Sequence, residues 1–287
     1  MEKRKITLEG WERSGEGCTA ASYNHKDDPK KMLKVFSFNV VGSQYAEMEF
    51  ALSRKLEELG LKTPRALEMV DCEGYSSIIY ERIVNKKSVS RLCASHPEEI
   101  GRWAEFFARE SYALHQTECQ PGDFASRKEQ MLAFVEGHAG YSERTKRVVR
   151  KLSEELGDEC RCLHGDLQSG NMIVDTDTGE AYWIDLGCFA RGPRMYDLAC
   201  LRFFYKHPIG RLLGRKMCHM RFAQLTAFWE AFAEAYSRLS GIEDLDGKAS
   251  RYVLLYLVYT IGLQDYGKFT LFVFDRYINC IAARVKF

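Results

Sequence analysis

Residues Leu163 to Gly187 read LHGDLQSGNMIVDTDTGEAYWIDLG. Three polar positions stand out: Asp166, Asn171 five residues later, and Asp185 closing an apolar run. Between Asn171 and Asp185 lie two short strand-like runs, Met172–Val174 and Ala181–Ile184, separated by the turn-forming Asp177-Thr178-Gly179. Paired as a hairpin, the runs set the start of the first beside the end of the second. Asn171 and Asp185 then become neighbours although they are far apart in sequence. A carboxylate and an amide oxygen are hard ligands of the kind Mg²⁺ takes when held against nucleotide phosphates. Asp166, on the loop just before, is suited to accept a proton from an incoming hydroxyl. That is the layout of phosphoryl transfer, where positioning and charge stabilisation do most of the catalysis. Asp175 and Asp177 read as plain turn residues.

HGDLQSGN followed by IDLG resembles the aminoglycoside phosphotransferase and choline kinase family, small-molecule relatives of the protein kinases. Protein kinases carry Arg after the His and Phe before the Gly of these motifs. Here Gly165 and Leu186 occupy those places, as in the small-molecule enzymes. The resemblance implies an α+β, bilobal, protein-kinase-like fold. Its N-terminal lobe, a small antiparallel sheet with one helix, is expected over residues 1–84, and a larger, mostly helical lobe over 85–287. It also implies ATP or GTP as phosphate donor, Mg²⁺ on Asn171 and Asp185, and Asp166 as the catalytic residue.

Composition sets bounds on this. A chain of 287 residues with 46 % hydrophobic and 28 % charged residues is ordinary for a globular protein with a sizeable core. Its formal net charge of +1 exerts no bulk pull toward nucleic acid or membrane, and neither is expected as a partner. The ten cysteines are scattered without a metal-like pair. The Met1-Glu2-Lys3-Arg4 start does not read as a signal peptide, and the longest apolar run, around Val253–Leu263, is about half a bilayer span. A reduced, cytoplasmic protein is expected, its cysteines mostly small core residues.

The first ninety residues read as strands plus one helix. Gly15 and Gly17, in SGEGCTA, permit a tight turn whose backbone amides can approach phosphate. No Gly-Lys-Ser/Thr follows, so this is not a Walker loop, and the strand-like residues beyond it exclude a dinucleotide fingerprint. In Met32-Leu33-Lys34-Val35-Phe36, alternation puts Lys34 on one strand face between Met32 and Phe36. Burial there demands a charge partner. Gln44 to Gly60 is helical, with Tyr45, Met48, Leu52, Leu56 and Leu59 as its apolar stripe. Glu49 falls at the edge of that stripe and Glu47 on the opposite side. Kinase-like folds pair a strand lysine that positions phosphates with a glutamate on this helix, and the resemblance makes the same choice, Lys34 with Glu49. Strands are expected at Arg65–Val70 and Tyr75–Arg82. The second runs into the segment where the resemblance implies an adenine-binding hinge, at Glu81 and Ile83.

From Pro97 onward helices dominate. His115, at the end of an amphipathic stretch from Glu98 to Thr117, is expected as a core histidine beneath the catalytic loop. Asp197, in RMYDLA near a helix start, is expected to hold backbone N–H groups of that loop. His164 reads as scaffold. Residues 201–287 carry thirteen Lys/Arg against seven Asp/Glu, which favours a neutral or anionic hydroxyl acceptor over a polycation, although Glu230, Glu234 or Asp265 could line a cationic pocket. Two other readings stand beside the small-molecule kinase: a kinase acting on polypeptide, and a nucleotide-binding regulatory pseudokinase. The lack of an Ala-Pro-Glu segment after IDLG weighs against the first, and the intact Lys34, Asp166, Asn171 and Asp185 against the second.

Overall fold

The computed structural model describes residues 3–16, 20–36, 40–262 and 268–287. By their internal contacts they form two compact units, Met1–Ser88 with Asn171–Gly187, and Val89–Gly170 with Cys188–Phe287. The expected lobes, 1–84 and 85–287, divide the sequence once. The contacts divide it three times and group the 171–187 hairpin with the N-terminal strands.

The first unit is built on a six-stranded sheet. Its strands are β1 (Arg4–Ile6), β2 (Trp11–Glu16), β3 (Ala20–His25), β4 (Lys31–Phe36), β5 (Ala66–Cys72) and β6 (Tyr75–Glu81), in the order β1-β5-β6-β4-β3-β2. All neighbours are antiparallel except β1 and β5. Glu73 and Gly74 make the β5–β6 turn with φ of 54° and 90°. The Asp71 carboxylate accepts the Gly74 N–H at 2.6 Å, the local bond that favours Asp in such turns.

Helix α1 (Val40–Glu58) packs on one sheet face, over Phe36, Ala66, Ile78 and Tyr80. The opposite face buries Leu33, Val70, Cys72 and Ile79 under Ile6, Leu8 and Trp11. The stripe expected on α1 needs correcting. Tyr45 is 52 % and Met48 67 % exposed, whereas Ala46, Ser53 and Leu56 are buried. Small Ala46 and Ser53 bring the helix close to the sheet, and its inward face lies about a quarter turn from the apolar stripe. Glu49 therefore sits near the centre of that face. Strand β7 (Lys86–Ser88) pairs with the hairpin strand Met172–Asp175, which pairs in turn with Ala181–Trp183.

The second unit is helical: α2 (Val89–Ser95), α3 (Ile100–Gln116), α4 (Arg127–Gly137), α5 (Glu143–Leu156), α6 (Met195–Lys206), α7 (Gly210–Cys218), α8 (Phe222–Ser240), α9 (Leu245–Gly262) and α10 (Lys268–Arg284). Ser126 and Ser142 cap α4 and α5 by accepting the N–H of Glu129 and of Thr145, and Gly157 ends α5 at φ 74°. Phe107 of α3 packs between Phe228 and Phe232 of α8, both ring centroids 5.8 Å away. Residues 253–258 of α9 are all buried, which puts the first half of that long apolar run in the core. Among the described residues every cysteine is a free thiol, and most are buried.

Candidate active site

In the first unit the hairpin forms in the register that the two runs imply. Ala181 lies opposite Val174, Tyr182 opposite Ile173 and Trp183 opposite Met172. One step further, the Ile184 N–H donates to the Asn171 carbonyl at 2.9 Å. Asn171 thus enters the ladder where Ile184 leaves it, with Asp185 next in the chain. Asp185 has φ 59°, a left-handed conformation that Asp tolerates better than most residues. It turns the chain out of the strand, and its side chain is exposed while Asn171 is buried. The turn acids act as turn acids: Asp175 accepts the Asp177 N–H at 2.9 Å, and Asp177 accepts from Asn85. Among the described residues no group of three His, Cys, Asp or Glu side chains is able to hold a metal ion alone. One carboxylate and one amide fit a cation that completes its shell from phosphate and water, as Mg²⁺ does in kinase sites.

Strand β4 and helix α1 of the same unit hold the ion pair. Lys34 Nζ donates to Glu49 Oε1 and Oε2 at 2.7 and 2.8 Å. A third group, missed in the sequence, joins them: the Tyr80 hydroxyl donates to Glu49 Oε1 at 2.8 Å. Burial and the Glu49 charge both push the Tyr80 phenol up, so it stays a donor. Its signal was present, because Tyr80 is two residues from Ile78, the register partner of Lys34, and shares that sheet face. Both ends of the ion pair keep 26 % exposure. Glu47 points elsewhere and meets Lys3 at 3.1 Å.

The remaining sites expected in this unit are backbone positions. Gly15 lies in the β2–β3 hairpin opposite Ser22, at a register irregularity after Arg13. Gly17 lies outside the described residues. The Glu81 N–H donates to the Arg65 carbonyl and its carboxylate pairs with Arg65, both at 2.9 Å. Ile83 is buried, and its N–H makes no hydrogen bond among the described residues.

The helical unit carries Asp166 and its supports. Asp197, fully buried in the first turn of α6, accepts the N–H of His164 at 2.7 Å and of Gly165 at 2.8 Å. Its Oδ2 also lies 3.1 Å from His115 Nε2, and His115 Nδ1 lies 2.7 Å from the Tyr236 hydroxyl. Burial opposes the Asp197 charge, but the His115 contact and the two N–H groups outweigh it and hold the carboxyl below its usual range. His115 and His164 are core histidines, and His164 Nδ1 accepts the Asp166 N–H at 3.4 Å. The half-buried Asp166 carboxylate accepts from Gln168 Nε2 at 3.3 Å and faces the Cys200 thiol at 3.8 Å. Burial and Asp166 raise that thiol far above its ordinary range, so it stays protonated and neutral.

Arg127 was not singled out in the sequence. Its guanidinium, 2 % exposed, donates to the Cys188 carbonyl and lies 3.6 Å from the ring centroid of Tyr259. It also crowds Gly165, where an added Cβ would overlap the Cys188 carbonyl and Arg127 Nη2. Gly165 has φ 82° as well, so glycine is demanded there twice. The overlooked signal is helical spacing, which puts Arg127 in line with buried Met131 and Val135.

The sequence model of the phosphotransferase enzyme family matches residues 21–246, from β3 into the start of α9. The chain belongs to the phosphotransferase enzyme family. It is an enzyme of that class, and solved structures share its fold. Aminoglycoside phosphotransferase APH(3'')-Id from Streptomyces rimosus, in complex with ADP and streptomycin, is 19 % identical. The match covers 88 % of this chain and 92 % of that one, with a TM-score of 0.57. Choline kinase LicA from Streptococcus pneumoniae is 16 % identical over 96 % of this chain and 92 % of its own, with a TM-score of 0.57. The GDP and kanamycin complex of the phosphotransferase APH(2")-IIia gives 15 % identity, coverage of 98 % and 95 %, and a TM-score of 0.60. No curated protein matches the sequence. At these identities the likeness carries the fold, which is the α+β, protein-kinase-like one.

Proposed function

We propose that this phosphotransferase moves the γ-phosphate of ATP or GTP to a hydroxyl group of a small molecule, with Mg²⁺. The observation that carries this is the hairpin ladder, in which the Ile184 N–H meets the Asn171 carbonyl just before Asp185. It supports Asn171 and Asp185 as the two protein ligands of a phosphate-bound cation. That cation would neutralise charge on the phosphates.

The chain's own residues take the other roles. Lys34, held by Glu49, binds and orients the donor phosphates; Tyr80 fixes Glu49. The backbone at Gly15 covers those phosphates, and the Glu81 carbonyl holds the purine with the Ile83 N–H, which is unbonded among the described residues. Asp166 accepts the proton of the acceptor hydroxyl as the new O–P bond forms and the nucleoside diphosphate leaves. Its loop is held in place by Asp197. A neutral Cys200 leaves Asp166 without a competing negative charge on that side.

The acceptor is a small alcohol. The solved structures that share the fold include complexes with streptomycin and with kanamycin and a choline kinase, so amino sugars and amino alcohols head the trial set. The test is a coupled phosphotransfer screen of the purified protein against aminoglycosides, amino alcohols and sugars, with ATP and GTP in separate arms. Turnover with one such acceptor, abolished in Asp166→Asn, is the expected result. Transfer to polypeptide with none to any small alcohol would reverse the assignment, and nucleotide binding with no transfer would make it a regulatory module.

A further inference from the structure

Helix α7 is built inside out. It turns Gly210, Gly214 and Cys218 inward, and all three are buried. Larger residues have no room there: a Cβ on Gly210 would overlap the Phe203 carbonyl, and one on Gly214 the Phe204 carbonyl. At 100° per residue, the bulky residues of α7 must project from the other side. Leu212 is 62 %, Leu213 49 % and Met217 42 % exposed. A helix at the surface of a globular protein ordinarily does the reverse. Scattered exposed leucines need no explanation, but three large apolar side chains on two turns, continued by exposed Phe222 at the start of α8, form a patch.

The charge of this patch is one-sided. Between Asp197 and Glu230 the sequence holds no acid at all. Arg202 and Lys206, at one edge of that stretch, are paired with Asp246 and Glu230. Arg211, Arg215, Lys216 and Arg221 have no carboxylate partner among the described residues. Arg211 and Arg215 instead lie over the Phe222 ring, 5.0 and 5.5 Å from its centroid. The ring holds their guanidinium groups in place and does not neutralise them.

We propose that the outward face of α7 docks the protein on an anionic lipid surface. Leu212, Leu213 and Met217 enter the boundary between headgroups and acyl chains, and the four cations meet lipid phosphate and carboxylate groups. A bilayer satisfies both halves of the patch. Nucleic acid matches the cations but leaves the aliphatic side chains in water. A second copy of the chain, related by a twofold axis, sets like charges against like. No helix among the described residues is long and apolar enough to cross a membrane, so this contact is a surface one. The whole-chain charge of +1 hides the patch, because it averages over a local excess. Each cation near an anionic surface raises partitioning about fivefold, so four give several hundredfold.

The test is flotation of the full-length protein with vesicles of phosphatidylcholine alone and of phosphatidylcholine mixed with phosphatidylserine. Binding is expected only with the mixed vesicles, and it should weaken as salt is raised. Leu212→Asp/Leu213→Asp and Arg215→Glu/Lys216→Glu should each abolish it. Leu239→Asp, at an exposed position near the end of α8, should not. All these side chains are exposed, so thermal melting should match wild type and exclude misfolding as the cause. Failure to bind mixed vesicles, or equal binding to both kinds, overturns the proposal. So does binding that survives Leu212→Asp/Leu213→Asp, and tight capture of RNA by that variant would reassign the patch to a polyanion. A wild-type dimer that the same pair of substitutions dissolves would reassign it to a second copy.

Discussion

The Lys34 ammonium and the Glu49 carboxylate are joined by two hydrogen bonds, of 2.7 and 2.8 Å, from the middle of β4 to the inward face of α1. Glu49 in turn takes a third bond from Tyr80, so the carboxylate is held from two sides. Lys34→Ala should cut turnover about 10²–10³-fold, the usual effect of removing one electrostatic donor from a transferring group. Glu49→Gln keeps the shape but loses the charge, and should cost about tenfold. Tyr80→Phe should cost less again, and Glu47→Gln almost nothing. Measured in one assay, a ranking that put Glu47 above Glu49 would remove this pair from the site.

Asp166 and Asp185 should separate by what they affect. Asp166→Asn should lower turnover on the order of 10²–10⁴-fold, the range for a lost proton acceptor, and leave nucleotide affinity in Mg²⁺ nearly unchanged. Asp185→Ala should weaken that affinity and raise the Mg²⁺ needed for half-maximal rate. Calorimetry of nucleotide binding to both variants decides it. Equal affinity losses would mean that the two carboxylates do not divide the work.

Asp197 links acidity to stability. Its carboxyl is held below its usual range in the fold, so the unfolded chain binds the proton more readily. The stabilisation it gives is complete above the ordinary carboxylate range, about pH 4, and is lost as pH falls toward its native value. Asp197→Asn should cost on the order of 3 kcal/mol at neutral pH, since His115 and two N–H groups lose a buried charge partner. It should also flatten the acid side of the Tm against pH curve. An unchanged acid limb in the variant would assign that limb to other carboxylates.

Gly165→Ala should be severely damaging, on the order of 2–4 kcal/mol, from positive φ and overlap together. Shortening the neighbour tests the cause. Arg127→Ala removes only one of the two clashing groups, because the Cys188 carbonyl stays where it is. The double variant should therefore be no more stable than Gly165→Ala in thermal melting. Substantial recovery would show that Arg127 alone closes this space.

Much of this was legible in residues 163–187, where turn chemistry and strand alternation fix a register and the register brings Asn171 to the Ile184–Asp185 end. Lys34 with Glu49 was legible from side-chain periodicity, though for a partly mistaken reason. The apolar stripe on α1 misled because Ala46 and Ser53 define the packed face by being small, and a hydrophobicity count overlooks small residues. The same blindness hid α7, whose inward face is glycine and cysteine. Arg127 and Tyr80 escaped because a charged residue on a buried line and a tyrosine in a strand look ordinary until their partners are known. The positions proposed to hold the purine, Glu81 and Ile83, would act through the backbone, which leaves side-chain identity nearly free.

The grouping of residues 171–187 with 1–88 has a consequence for synthesis. Strand β7 ends at Ser88, but its partner strand begins at Met172. The intervening 89–170 segment belongs wholly to the other unit. On a ribosome adding about 5–20 residues per second, β7 waits roughly 4–16 s for its partner. Throughout that time its edge is open. Chains stalled after Ser88 should show β7 unprotected in hydrogen exchange, and chains stalled well past Gly187 should show it closed. The N-terminal strands belong to a unit that is completed only once residues 171–187 have been made.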